Sequence, residues 1–331
     1  MFSFQFGMNG RAEGRSMAWD DKIGRRLKFK DLQMLMAVAE TGGIGKAASS
    51  LNYSQPAISK AIAGLEHAFG KRLLERGRKG IEFTPYGDAL VKCGAAVMDE
   101  LRKGFADIEF LSDPTAGMVR VGCTEPLSAG FVTSVVDQLA RRYPRIEFQV
   151  EVNNPTAIYE DVLARKLDFA IAQIMASIDH EHLQIETLYD DRLVIVAGAG
   201  HPATRKHRIK LADLADEHWV FPPGESFAGS LLADAFRTEG LKPPKITATA
   251  HSTYCRLFLA ANGHFLALIP AVTLHVRMKR MSLKILPIKL RGNRRPIAVV
   301  TLKNRFLSPV AQLFIEHARA LAKTRAKRII D

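Results

Sequence analysis

The residues best equipped for specific chemistry stand in one short run, SQPAISK at 54 to 60. Gln55 carries an amide that donates and accepts at once, as bidentate pairing to the exposed edge of adenine requires. Ser54, Ser59 and Lys60 beside it offer hydroxyls and a positive charge, groups that suit phosphate oxygens. Arg76, Arg78 and Lys79 add a second basic group in RLLERGRKGIEF. A separate set of polar groups follows runs of strand character: Thr124, Glu125 and Ser128 after VRVGC, Asn154 and Thr156 after FQVEV, and Gln173 after DFAIA. Ser226 and Phe227 follow VFPPGE, and Ser252 and Thr253 follow ITATA. These could line a site for a small polar ligand. Catalytic patterns are missing: GGIGKAA at 42 to 48 satisfies neither GxGxxG nor GxxxxGK[ST], and GxSxG and HExxH do not occur. His180-Glu181-His182 reads as a polar loop, and Cys93, Cys123 and Cys255 lie far apart, so neither a metal nor a cofactor is expected and the chain is not read as an enzyme.

The elements that must position the first group are three helices and a hairpin. Leu32, Leu35, Met36 and Ala39 give the apolar face of a helix that TGG terminates, and IGKAASSL at 44 to 51 is a second, Ala-rich helix. Ser54 is a natural N-cap for the third, Pro56 fits its first turn, and Ile58, Ile62, Leu65 and Phe69 form its buried stripe up to Gly70. Gln55, Ser59, Lys60 and His67 are left on the outer side. The hairpin that follows makes a basic wing. From Thr84 the spacing predicts one long helix with Leu90, Gly94, Val97, Leu101, Gly104, Ile108 and Leu111 on a seam. Leu90, Val97, Leu101 and Ile108 would join two chains there; the alternative is a stripe packed on its own chain.

Beyond a stop at Ser112-Asp113-Pro114 and a hinge at Thr115-Ala116-Gly117, strand and helix periods alternate, which argues an α/β fold with parallel strands. The pattern restarts after RLVIVAG, so two lobes joined by crossing strands are expected. The resulting division is a flexible extension over 1–26, a winged helix-turn-helix over 27–83, a linker and dimerisation helix over 84–113, and a two-lobed body over 114–331. Lobe I would take about 117–190 and 300–331, lobe II about 191–299. Ligands of such sheets lie beyond the carboxyl ends of the strands, and converging helix N-termini favour a carboxylate, an aromatic acid or a sugar derivative. Glu125 opposes an anion there unless it is turned away or paired with a base.

Charge agrees with this division. The 331 residues carry a net charge of +13, and residues 1 to 80 hold 14 Lys and Arg against 7 Asp and Glu. Residues 277 to 331 hold a further 15 against 2. Such an excess attracts a polyanion, which composition alone does not identify as nucleic acid or membrane. No stretch approaches a membrane span and no basic-then-apolar leader precedes the fold, so a cytoplasmic setting without a membrane partner is expected.

In DLQMLMAVAETGGIGKAASSLNYSQPAISKAIAGLEHAFGKRLLERGRKGIEFTPYGDAL the elements AA, L, SQPAIS, LE, G, LLER and TPYG stand in the order and spacing of one family. The chain resembles a LysR-type transcriptional regulator over about 27 to 325, with VRVGC, DFAIA, GHP and HFLALIP as weaker landmarks. The resemblance implies a winged helix-turn-helix, a linker helix and an effector domain built like periplasmic binding proteins. It implies a dimer, commonly a dimer of dimers, that binds an interrupted palindrome of double-stranded DNA, responds to a small metabolite and meets RNA polymerase. Three positions depart from the pattern: Gly43 replaces a capping Ser, Gly45 replaces a Ser or Thr that often touches phosphate, and the Gly-rich turn is reduced to Asn262-Gly263-His264. The rival reading is an exported solute-binding protein, which the basic N-terminal module does not suit.

Overall fold

The computed structural model describes residues 27–77, 80–175, 178, 181–206, 208–223, 227–242, 244–274 and 281–329. The expected extension at 1–26 and the candidates Arg78, Lys79 and Ser226 lie outside them, as do the side chains of Arg76 and Phe227. Two compact units divide inside the linker helix, between Met98 and Asp99.

The first unit begins with α1 (Phe29–Thr41), α2 (Ile44–Leu51) and α3 (Gln55–Phe69). Gly42 and Gly70 end α1 and α3 with φ of 73° and 62°, a left-handed backbone that glycine adopts without strain. Leu35, Val38, Ala47, Ile58, Ile62 and Leu65 form the core, and the small buried Ala47 and Ala48 let α2 approach closely. Of the predicted α1 stripe, Met36 and Ala39 are only half-buried, whereas Met34 and Ala37 are buried. The reason is that α1 packs on α2 and α3 together and so buries more than one row of side chains. Strands β1 (Leu74–Gly77) and β2 (Gly80–Phe83) pair antiparallel as the wing.

Helix α4 (Pro85–Ser112) opens on Thr84, whose Oγ1 accepts from the Gly87 N–H and donates to the Arg72 carbonyl. Its first turns correct part of the expected seam. Leu90 is half-buried against the core of the first unit, and a Cβ on Gly94 would stand 3.1 Å from Leu32 and Met36. Both are explained by packing within the chain.

In the second unit β3 (Ala116–Cys123), α5 (Thr133–Arg142), β4 (Arg145–Val152), α6 (Pro155–Leu163) and β5 (Phe169–Gln173) build lobe I. The presumed hinge residues Ala116 and Gly117 are the first of β3, paired with Arg145 and Ile146. β6 (Leu183–Gly198) leads into β7 (Trp219–Phe221), α7 (Phe227–Thr238), β8 (Ile246–Thr249), α8 (Thr253–Ala261), β9 (Leu266–Pro270) and β10 (Leu283–Ile285) of lobe II. β11 (Arg294–Leu302) and α9 (Pro309–Ile329) return to lobe I.

The sheet order is β4-β3-β5-β11-β6-β9-β7-β8, with β10 also on β6. β4-β3-β5 and β9-β7-β8 are parallel as expected, but β11 and β6 are antiparallel to their neighbours, because the chain crosses between lobes in opposite directions. β6 is one 16-residue strand: its first part pairs with β11 and its last part with β9. Phe131, Leu139, Phe169 and Phe314 centre the core of lobe I, and Trp219, Leu232, Phe236 and Leu268 that of lobe II. The GHP landmark has a structural role, since His201 Nδ1 accepts from the Ala203 N–H and caps a short turn.

Asp99 fixes the C-terminal part of α4 to lobe I. Its carboxylate accepts from Arg305 Nη2 at 2.7 Å and Nε at 2.8 Å, and from Arg165 at 3.1 Å. Arg305 also donates to the carbonyls of Leu167 and Asp168.

Candidate nucleic-acid interface and ligand cleft

At the start of α3 the backbone positions the chemistry. Ser54 Oγ accepts from the Ala57 N–H at 3.3 Å, which closes the first turn and leaves Gln55, Ser59 and Lys60 exposed while Ile58 and Ile62 face the core. The hydroxyl of Ser54 is thus occupied as an acceptor, with its proton available to donate. The Lys30 ammonium lies 4.4 Å from the centre of the exposed Tyr53 ring, a contact that sequence periodicity could not show because the two residues lie on different elements. Gly45 has a role that the departure from Ser or Thr concealed: a Cβ there would come within 2.7 Å of Gln55 Nε2. Gly45→Ser should therefore fold normally, since only the free end of a long side chain must move, yet displace the Gln55 amide. Binding competition between variant duplexes should then show an altered base preference, with a melting temperature within about 1 °C of the parent.

The ligand-side candidates separate on inspection. Asn154 and Thr156 are exposed, and Asn154 caps α6 by accepting from the Ala157 N–H. Ser128 donates to the Glu125 carbonyl within the turn that follows β3. Gln173 is engaged through its side-chain oxygen, which accepts from Arg295 Nε at 2.9 Å and also from Nη2. Thr124 is half-buried beside Glu125.

Glu125 does meet two of the four candidates of the other lobe. Ser252 Oγ donates to Glu125 Oε1 at 2.7 Å, and the Thr253 N–H donates to Oε2 at 2.7 Å. Ser252 at the same time accepts from the Cys255 N–H, so one hydroxyl caps α8 and holds the carboxylate. Among the described residues Glu125 is held by these donors and not by an ion pair; the buried base whose charge it feels is Arg256, which sequence analysis did not single out although it stands three residues after Thr253. It is 5% exposed; its Nη1 donates to the carbonyls of Ala250 and His251, and its Nη2 donates to Thr253 Oγ1. Burial lowers the guanidinium's pKa, and the Glu125 charge opposes that shift while Arg295 adds to it. Burial likewise lowers Arg295, opposed by Asp191. Asp191 is itself buried, which raises its carboxyl pKa; Oδ1 accepts from the Val272 N–H at 3.1 Å. Among the described residues Arg256 Nε, Asp191 Oδ2 and Thr273 Oγ1 are buried without a hydrogen-bond partner. The start of α8 thus brings hydrogen-bond donors and the buried Arg256 together with the Glu125 carboxylate, and Arg295 together with Asp191.

Family comparison decides between a regulator and a solute-binding protein. A model described as "LysR substrate binding domain" matches residues 112–323, and one described as "Bacterial regulatory helix-turn-helix protein, lysR family" matches 29–88. The chain belongs to the LysR family. As a LysR-family protein it is a DNA-binding transcription regulator with an effector-binding domain, not an enzyme, and the solute-binding alternative is set aside. It is 28% identical over 307 residues to the HTH-type transcriptional regulator GbpR of Azospirillum brasilense, covering 92% of this chain and 90% of that protein. Among solved structures, a full-length OxyR variant from Pseudomonas aeruginosa superposes with a TM-score of 0.64 at 19% identity, over 88% of this chain and 95% of that one. Full-length CbnR complexed with its target DNA gives 0.61 at 21% identity, over 89% and 99% of the two chains. These two likenesses establish the shared LysR fold. No helix among the described residues is long and apolar enough to cross a membrane.

Proposed function

We propose that this LysR-family regulator reads duplex DNA with the exposed start of α3 and is controlled by a small carboxylate held between its two lobes. The observation that carries the first part is the exposure of Gln55, Ser59 and Lys60 on a first turn whose opposite side is locked into the core. Gln55 reads a base. Ser54, Pro56, Ser59, Lys60 and the wing residues Arg76, Arg78 and Lys79 position the module on phosphates. The fold shared with CbnR, solved on its target DNA, supports this use of the module. On a duplex selected from a random pool, Gln55→Ala should lose about 1–3 kcal/mol of discrimination at one base pair, whereas Lys60→Ala should weaken all duplexes alike and reduce the salt dependence of binding. Full site preference retained by Gln55→Ala in a competition footprint would remove Gln55 from this role.

The clamp that Ser252, Thr253 and Arg256 form at the start of α8 carries the second part. Thr124 and the Gln173–Arg295 pair would meet the rest of the effector, an aromatic acid or an acidic sugar derivative. A thermal-shift screen of carboxylates on the full chain tests this. A ligand whose stabilising effect survived both Ser252→Ala and Arg256→Met would place the effector elsewhere. Self-association through α4, assembly of dimers on an interrupted palindrome and contact with RNA polymerase belong to the same proposal.

A further inference from the structure

Glu125 belongs to lobe I, yet its carboxylate lies on the first turn of α8 in lobe II, accepting from the Ser252 hydroxyl and the Thr253 amide at 2.7 Å each. This is the geometry an external carboxylate would take at a helix N-terminus, where unpaired N–H groups and the helix dipole favour negative charge. A second observation marks the place as more than a cap. Arg256, 5% exposed, is tied to Thr253 Oγ1 and to two carbonyls just before the helix, and its Nε is buried without a partner, so a buried guanidinium with an unused donor stands in the first turn of α8 beside the groups that hold Glu125. Ser252 already satisfies the Cys255 N–H, so α8 has its own cap and Glu125 is an added anion. Nearby the lobes also meet where a Cβ on Gly130 would stand 2.4 Å from the Val272 carbonyl, a backbone approach that leaves no room for a side chain.

We propose that Glu125 is a built-in competitor of the effector: its carboxylate holds the lobes together at the α8 clamp, and an effector carboxylate acts by displacing it. The inference rests on the reading that the cleft takes a carboxylate. It adds that the clamp is occupied from within, so that binding exchanges one anion for another and releases a lobe-to-lobe contact. Such competition weakens the apparent affinity of the effector and couples its binding to the lobe arrangement.

Truncating Glu125 to Ala removes a CH2–COO⁻ group, which is the acetate fragment, so acetate is the probe. Full-length parent, Glu125→Ala, Glu125→Gln and the double variant Glu125→Ala with Ser252→Ala are melted in sodium acetate and in sodium chloride of equal ionic strength. Glu125→Ala should melt below the parent in chloride and gain about 3 °C or more in acetate. The parent should show no difference between the salts, Glu125→Gln should melt low in both because the amide fills the place without the charge, and the double variant should lose the acetate gain. An equal acetate effect on parent and Glu125→Ala, or none on either, overturns the proposal. If Glu125→Ala is insoluble in chloride, recovery of soluble protein in acetate is the same positive result. If it is insoluble in both, a parental melting temperature for Glu125→Gln overturns the proposal. The cleft reading fails separately, if no carboxylate changes the DNA affinity of the parent. Any carboxylate that does so should bind Glu125→Ala at least about tenfold more tightly, since its competitor is gone.

Discussion

Replacing Leu101 with Asp should convert the assembled regulator into a monomer and weaken its binding to a two-half-site duplex by on the order of 10²–10⁴, the gain that linking two modest binding events supplies. Along α4, Val97, Leu101, Phe105, Ile108 and Leu111 are 40%, 45%, 68%, 62% and 83% exposed. Five large apolar side chains at helical spacing on one exposed helix form a patch that a stable monomer would not leave uncovered. A second copy of the same helix is the simplest cover, and it would present two winged modules with twofold symmetry to the two halves of a palindrome. A charge at Leu101 costs little in the separate chain, where the residue is nearly half exposed, and much in a buried seam. Sedimentation velocity reads the assembly and circular dichroism confirms the fold. An unchanged sedimentation coefficient would assign self-association to surfaces of the lobes instead.

What the sequence makes legible is local. The caps of α3, the glycines that end α1 and α3, and Pro56 in a first turn act within a few residues, so their meaning can be read from the run in which they stand. The stripe on α4 shows where that reading stops. Periodicity marks Leu90 and Val97 alike, but it does not say which surface covers each, and the first unit covers only Leu90. β6 hides its own length for a similar reason: LQIETLYDDR is only partly buried and polar, whereas LVIVAG is wholly buried, so only the latter has the apolar signature of a strand. The cleft is harder still. Ser252 and Thr253 announce a helix start, but their partner Glu125 lies 127 and 128 residues away, and Arg256 and Arg295 have the same composition signal as solvated charges.

The same blindness applies most strongly to Asp99, one acidic residue among several on α4, and its replacement by Asn should lower the melting temperature by roughly 6–12 °C. The Asp99 and Arg305 side chains are 2% and 1% exposed, and the guanidinium addresses the carboxylate through two parallel bonds. Removing the negative charge leaves a buried cation whose remaining anionic partner, Asp168, is 3.2 Å away, so a loss of about 3 kcal/mol is expected, at the low end for a broken buried pair. Burial by itself would raise the Asp99 pKa; Arg305, with Lys103 and Arg165, outweighs it, and the net shift is downward. The sign of the pH dependence follows. A carboxyl with a lower pKa in the folded chain contributes fully above its unfolded value, near 3.9, and loses that contribution as pH falls through the folded value. Parent and Asp99→Asn should therefore differ by a constant interval from about pH 5 to 7 and converge below about pH 4. A variant that also replaces Arg305 with Met should recover part of the lost stability, since a neutral side chain there costs less than a buried guanidinium left with Asp168 as its remaining anionic partner. Equal melting temperatures for parent and Asp99→Asn at pH 7 would show that Arg305 is held by Asp168 and the two carbonyls alone.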